Sequence, residues 1–225
     1  MKVALADVPT LRQLYQLKQI VPAATSAAKY KSSGNLLDRV SLYQGTITGL
    51  EVDSIVNAAN RSLLGACKLN TRALVDGAIH AAAGPELVEE CRTLDGCNVG
   101  DAKITRGYEL PSKHVIHTVG PVYSASGVGR CAELLASCYR RSLEVTAQHN
   151  LRHIAFPSIS TGVYGYPVEA ATLIALEEVR KFMASEDGSK IKRAIFVVWS
   201  NQDKEIYEQL IPLYFPLDVK EKEEN

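Results

Sequence analysis

Three polar groups in this chain are placed where they could bind an anion. Asn57 and Asn60 close the stretch DSIVNAAN, Ser160, Thr161, Gly162, Val163, Tyr164 and Gly165 follow HIAFPSI, and Trp199, Ser200 and Asn201 follow AIFVV. Each group comes directly after an apolar, β-branched run that reads as a buried strand. Small side chains at 160–162 would let backbone N–H groups close on an anion, and Gly165 would allow a tight bend, so this stretch has the make-up of a diphosphate cradle. The commoner phosphate and nucleophile motifs do not fit. G-x-x-G at 162–165 is not the G-x-G-x-x-G dinucleotide fingerprint, and no G-K-[ST] follows to make a P-loop. PSISTG is not G-x-S-x-G, so a hydrolase serine elbow is unsupported. Plainer readings stand beside these. Asn57 and Asn60 could cap or bridge the strand end, and Trp199, the only tryptophan, could be core filler.

The elements that must position these groups are legible as an alternation. DRVSLYQGTIT, DSIVNAAN, HVIHTV, HIAFPSI and IKRAIFVVW read as strands. VDGAIHAAAGPELVEECRTL is helical with a bend or split predicted at Gly84-Pro85; CAELLASCYRRSLEVTAQH, PVEAATLIALEEVRKFM opened by Pro167, and DKEIYEQLIPLYF are further helices. Strands alternating with helices predict a three-layer α/β/α domain, with ligands beyond the carboxyl ends of the strands. Residues 1–38 form an N-terminal extension, with a short helix from Leu11, Leu14 and Leu17 and then the linker PAATSAAKYKSSGN; the domain spans 39–216, and 217–225 is a charged, frayed tail.

Composition bounds the function. The 225 residues carry 25 Lys plus Arg and 25 Asp plus Glu, so no bulk basic field recruits nucleic acid, which is expected only as a modified substrate. The five cysteines, Cys67, Cys91, Cys97, Cys131 and Cys138, have no C-x-x-C pair, which points away from a disulfide framework or a zinc site and toward reduced thiols in cytoplasm or nucleus. No apolar run approaches the ~18 residues of a membrane span, and residues 1–20 have no continuous apolar h-region, so neither a membrane nor secretion is expected.

Five motifs in order, LEVDSIVNAAN, VDGAIHAAAGPEL, ECRTLDGCNVGDAKITRGYELP, VIHTVGP and FPSISTGVYGYP, resemble the macrodomains, and within them the MacroD-type ADP-ribosyl hydrolases. The resemblance runs from about Val40 to Phe215, and the N-terminal extension resembles that of the subgroup. It implies a mixed six-stranded sheet between helices and a cleft for ADP-ribose. The implied activity is hydrolysis of mono-ADP-ribose esters on Asp and Glu side chains and of O-acetyl-ADP-ribose, by a monomer, without metal or other cofactor. Carried over by motif, Asn60 positions the distal ribose, Asp76 aligns or activates a water, and His80, one turn on, steadies the site. Thr46, Ile47 and Asn57 join the ligand contacts, Ser160 to Gly165 surround the diphosphate with Tyr164 on the distal ribose, and Trp199 takes the adenine-stacking place. On residue chemistry alone Asp76 is also a good first-turn helix residue, and His80 could be structural. His114 and His117 read as packing or surface residues with no chemistry; Arg106 and Tyr108 could reach the cleft, although nothing in the spacing demands it.

Two positions depart from the family pattern. Thr46 stands where an aspartate usually accepts the adenine amino group, and Ala66–Leu74 replace a run of glycines, lengthening that loop by about six residues. Within the loop, Asn70 or Thr71 could cap an earlier helix start, and Lys68 and Arg72 would then meet a phosphate or simply be solvated. An ADP-ribose-binding module that is weakly active or inactive, and a degenerate interaction domain, are the alternatives these departures raise.

Overall fold

The computed structural model describes residues 2–65 and 75–218. The strands are β1 (Val3–Ala4), β2 (Val40–Gln44), β3 (Leu50–Glu51), β4 (Ser54–Ala59), β5 (Ala102–Arg106), β6 (His114–Val119), β7 (His153–Phe156) and β8 (Arg193–Val198). Six of them form one sheet in the order β2-β8-β7-β4-β6-β5, parallel except for β5, which is antiparallel to β6 at the edge. The helices are α1 (Leu11–Gln16), α2 (Gly34–Arg39), α3 (Val75–Ala83), α4 (Pro85–Thr93), α5 (Val128–Gln148), α6 (Val168–Met183) and α7 (Asn201–Tyr214).

Strand periodicity divides the core in two. Val56, Ile116, Phe196 and Val198 face one side, where they pack with residues of α1, α2, α5, α6 and α7. Ile55, Val115, Val119 and Ile195 face the other, packing against Ile79 and Ala83 of α3, Leu87 and Cys91 of α4, and Leu50 of β3. Successive strand residues point to opposite faces, so a strand covered on both sides must be apolar throughout. That is why the central strands read as unbroken apolar runs. The result is the three-layer α/β/α architecture with a mixed six-stranded sheet that the motifs imply.

Local signals fix the helix ends. Thr10 accepts from the Gln13 N–H while the Gln13 side chain accepts from the Thr10 N–H, a reciprocal cap for α1. Gly84 has φ +83° and Pro85 opens α4, which is the split predicted there. Pro167 precedes α6, and the Ser200 hydroxyl accepts from the Asp203 N–H to cap α7.

The N-terminal extension is packed on the domain rather than trailing from it. Leu11, Leu14 and Tyr15 are in the core, the Tyr15 hydroxyl donates to the Phe215 carbonyl at 2.9 Å, and Val3–Ala4 pair with Leu50–Glu51. Leu17, predicted on the buried face of α1, is 64% exposed because the helix stops at Gln16. The predicted linker ends in a helix: GNLLDR forms α2, burying Leu36 and Leu37, so Asp38 and Arg39 end a helix instead of starting a strand. Tyr30 is held by Glu177 of α6 at 2.8 Å. Leu217, assigned to the frayed tail, is buried; residues 219–225 lie outside the described residues, as does the loop 66–74 with Lys68, Asn70, Thr71 and Arg72. No helix among the described residues is long and apolar enough to cross a membrane.

Candidate active site

Five parallel strands end on one edge of the sheet, and the loops leaving them enclose a cleft of about 630 Å³, a size suited to a small organic ligand. Gly45, Thr46 and Ile47 come from the end of β2, Asn60 from β4, Gly120 from β6, Pro157–Tyr164 from β7, and Trp199 from β8. From α3 come Val75, Asp76 and Ala78, and from the first turn of α7 comes Asp203.

The loop after β7 is built to present backbone donors. Ser160 adopts φ +67°, a conformation uncommon outside glycine, and is held in it by the bond from the Tyr166 N–H to its carbonyl at 3.0 Å. The Thr161 hydroxyl donates to the Ser158 carbonyl at 3.0 Å, and the Gly165 N–H closes a turn on the Gly162 carbonyl at 2.9 Å, with Gly165 at φ +66°. Among the described residues, the N–H groups of Thr161, Gly162, Val163 and Tyr164 donate to no protein acceptor. Four successive amides on a cleft wall without partners are a site for anionic oxygens. A Cβ on Gly162 would meet nothing within 4 Å, so packing does not demand glycine there, whereas a Cβ on Gly120 would collide with the Ser160 hydroxyl. Gly120 thus lets the two loops close together. The Ser160 hydroxyl is buried and unpartnered.

The same cleft is lined by Asp76, 6% exposed, in the first turn of α3. Its Oδ1 accepts from Asn57 Nδ2 at 2.7 Å, and His80 Nε2 lies 3.6 Å from the same oxygen. Asn57 is wholly buried and is itself held by His117, whose Nδ1 lies 3.2 Å from Asn57 Nδ2. His117 Nε2 is 2.9 Å from Thr105 Oγ1 and 3.7 Å from Cys91 Sγ. Burial, and secondarily His80, pushes the His117 imidazole down to about 3, so it is neutral and can accept from Asn57. Burial also lowers His80, against the pull of Asp76, and raises the Cys91 thiol to about 12. Asp76 is therefore oriented by a neutral, buried network instead of by a cation. Asn60 bridges its own turn: Nδ2 donates to the Gly65 carbonyl at 3.2 Å, and Oδ1 accepts from the Ser62 N–H and hydroxyl at 3.0 and 2.6 Å.

Residues 56–175 match the Macro domain family model. The chain is a macrodomain. Over 215 residues it is 46% identical to the ADP-ribose glycohydrolase MACROD1 of Bos taurus, an alignment that covers 96% of this chain and 63% of that protein. It thus spans less than two thirds of that relative's length. Its fold superposes on the macro domain of ganglioside induced differentiation associated protein 2 with TM-score 0.84 and 32% identity, covering 97% of this chain and 98% of that one. A Trypanosoma brucei macrodomain solved in complex with ADP-ribose superposes with TM-score 0.74 and 37% identity, covering 92% of this chain and 75% of that one.

Most residues picked from the macrodomain motifs meet in the cleft: Thr46, Ile47, Asn60, Asp76, Ser160, Thr161, Gly162, Val163 and Tyr164 line it. Trp199 also does so and is 74% exposed, which removes its reading as core filler. Three expected residues do not line it. Asn57 is a correction: it shares strand parity with Ile55 and Ala59, so its side chain points under α3 to Asp76 instead of into the cleft. His80 stands beside Asp76, behind the wall, and Gly165 shapes the turn from behind. His117, read as a residue without chemistry, is the partner that orients Asn57. Motif reading missed Gly120 and Asp203, although VIHTVGP and the first-turn acid after the Ser200 cap were visible signals. Arg106 and Tyr108 turn away, bonded through their backbone N–H and hydroxyl to Glu90.

Proposed function

We propose that this macrodomain binds ADP-ribose in the cleft and hydrolyses the ester that joins its distal ribose to Asp or Glu side chains of proteins, or to acetate in O-acetyl-ADP-ribose. The observation that carries this reading is the pairing, in one cleft, of four unpartnered amides at 161–164 with the Asp76 carboxylate. The amides receive the diphosphate, Asn60 and Tyr164 hold the distal ribose, and the exposed face of Trp199 stacks on adenine. Asp76 then takes a proton from a water whose oxygen attacks the ester carbonyl. The ribose oxygen leaves with a proton, freeing the carboxylate. An ester is already activated, so orientation of this water by one carboxylate is sufficient chemistry. The naming of the bovine relative as an ADP-ribose glycohydrolase, and the Trypanosoma brucei macrodomain complexed with ADP-ribose, support the ligand class. The same reading takes the protein to act as a monomer. The same reading places the protein in cytoplasm or nucleus, where the thiols Cys91, Cys97, Cys131 and Cys138 stay reduced.

The test is release of ADP-ribose from aspartate- or glutamate-linked mono-ADP-ribosyl protein. Turnover by the wild-type chain and its loss in Asp76→Ala, with calorimetric ADP-ribose binding retained, is the expected result. Binding without turnover in the wild type would reduce the protein to an ADP-ribose-binding module.

A further inference from the structure

Behind Asp76, on the face of the sheet covered by α3 and α4, three metal-ligating side chains converge. The donor atoms of His80, Cys91 and His117 lie within 4.8 Å of one another. Three points no farther apart than that share a centre at most about 2.8 Å from each, so movements under about 1 Å bring all three to zinc-bonding distance. Cys91 Sγ and His117 Nε2, 3.7 Å apart, already have nearly the separation of two ligands on one tetrahedral ion, about 3.5 Å for bonds of about 2.3 and 2.0 Å. Asp76 Oδ1 is 3.6 Å from His80 Nε2 but stands outside this group of three, so the fourth position falls to a water.

Two buried polar atoms here have no partner: His80 Nε2 and Asn57 Oδ1. Their vacancy has a consequence for the network. With Asn57 Nδ2 donating to His117 Nδ1, the His117 proton is on Nε2 and is given to Thr105 Oγ1. A cation on Nε2 requires that proton on Nδ1. Asn57 must then turn its amide over so that Oδ1 accepts from Nδ1–H, and the same turn withdraws Nδ2 from Asp76. Cation binding and the catalytic orientation of Asp76 are mutually exclusive. We propose that His80, Cys91 and His117 form a site for a thiophilic divalent cation such as Zn²⁺, whose occupation inhibits the enzyme. Two imidazoles and a thiolate select zinc, cobalt or cadmium over magnesium or calcium. Cys91 gives its thiol proton to solvent as the metal–sulfur bond forms, with no change of oxidation state. The binding claim stands apart from the proposed hydrolase activity; the inhibition claim rests on it.

Co²⁺, titrated into the reduced, metal-free full chain, is the probe. The expected result is one equivalent bound, with a thiolate-to-cobalt charge-transfer band in the near ultraviolet and the intense visible bands of a tetrahedral ion. Cys91→Ser and Cys91→Ala remove the charge-transfer band while retaining ADP-ribose binding, and His80→Gln weakens Co²⁺ binding at least about tenfold. The His80 variant decides the matter if the buried Cys91 variants do not fold. In turnover, saturating Zn²⁺ slows the wild type at least about tenfold, reversibly with chelator, and leaves Cys91→Ser unaffected. Absence of the band in the wild type overturns the site, as does its survival in the Cys91 variants, which would report another cysteine. A band with unchanged turnover under Zn²⁺ overturns the inhibition alone. If the wild type shows no turnover at all, the spectrum still decides the site.

Discussion

Asn57→Ala separates orientation of the carboxylate from ligand binding. Asn57 is wholly buried, lines no part of the cleft, and gives Asp76 a 2.7 Å hydrogen bond. A hydrogen bond to a charged acceptor contributes roughly 1.5–3 kcal/mol. If that bond acts on the water-activating geometry, its loss lowers kcat by about 10- to 150-fold, at about 1.4 kcal/mol for each tenfold. The truncation also strips the partner from His117 Nδ1, so stability falls by about 1–3 kcal/mol, and rates must be read well below the unfolding midpoint. The amides at 161–164 and the face of Trp199 are untouched, so KM and the calorimetric Kd for ADP-ribose stay within about threefold. The assay is initial-rate release of ADP-ribose from a glutamate-linked mono-ADP-ribosyl protein, with folding checked by circular dichroism. A kcat within twofold of wild type, or a raised KM with kcat intact, would refute the reasoning.

Two further predictions draw on other parts of the molecule. Trp199→Ala, at a residue 74% exposed, leaves thermal stability unchanged but weakens ADP-ribose and ADP by about 1–3 kcal/mol through lost stacking, while ribose 5-phosphate binds as before; calorimetry with the three ligands checks it. Glu177→Gln lowers stability at neutral pH by about 1–3 kcal/mol, because burial raises the Glu177 carboxyl but its bonds to Lys29, Lys181 and Tyr30 outweigh this and bring it from 4.5 to about 2. A depressed acid contributes fully above its unfolded value, so the wild-type advantage should be complete above about pH 5 and vanish as pH falls from 4.5 through 2; urea unfolding of both proteins across that range measures it.

How far the site could be read from sequence follows from strand burial. The parallel strands β4, β7 and β8 are covered on both faces, so their apolar runs end visibly where a loop begins, and Asn60, Ser160–Tyr164 and Trp199 could be picked as cleft residues. The edge strand AKITR escaped because only one partner strand covers it and Lys103 and Arg106 break the apolar pattern. GNLLDR escaped as a helix because it is only six residues long, opens on Gly and Asn, and is stabilised by burying Leu36 and Leu37 rather than by propensity. Asn57 was misplaced for a different reason. NAAN marks the end of β4 but not which asparagine is still inside the strand, and parity with Ile55 sends Asn57 beneath α3. The role of His117 was beyond sequence reasoning, since its partners Asn57, Thr105 and Cys91 are 60, 12 and 26 residues away.

A crystal structure of the full chain soaked with ADP-ribose tests the central claim most directly. The account predicts diphosphate oxygens within about 3.2 Å of N–H groups between Thr161 and Tyr164, with the distal ribose between that loop and Asp76. A diphosphate bound elsewhere, or a ribose turned away from Asp76, would contradict it.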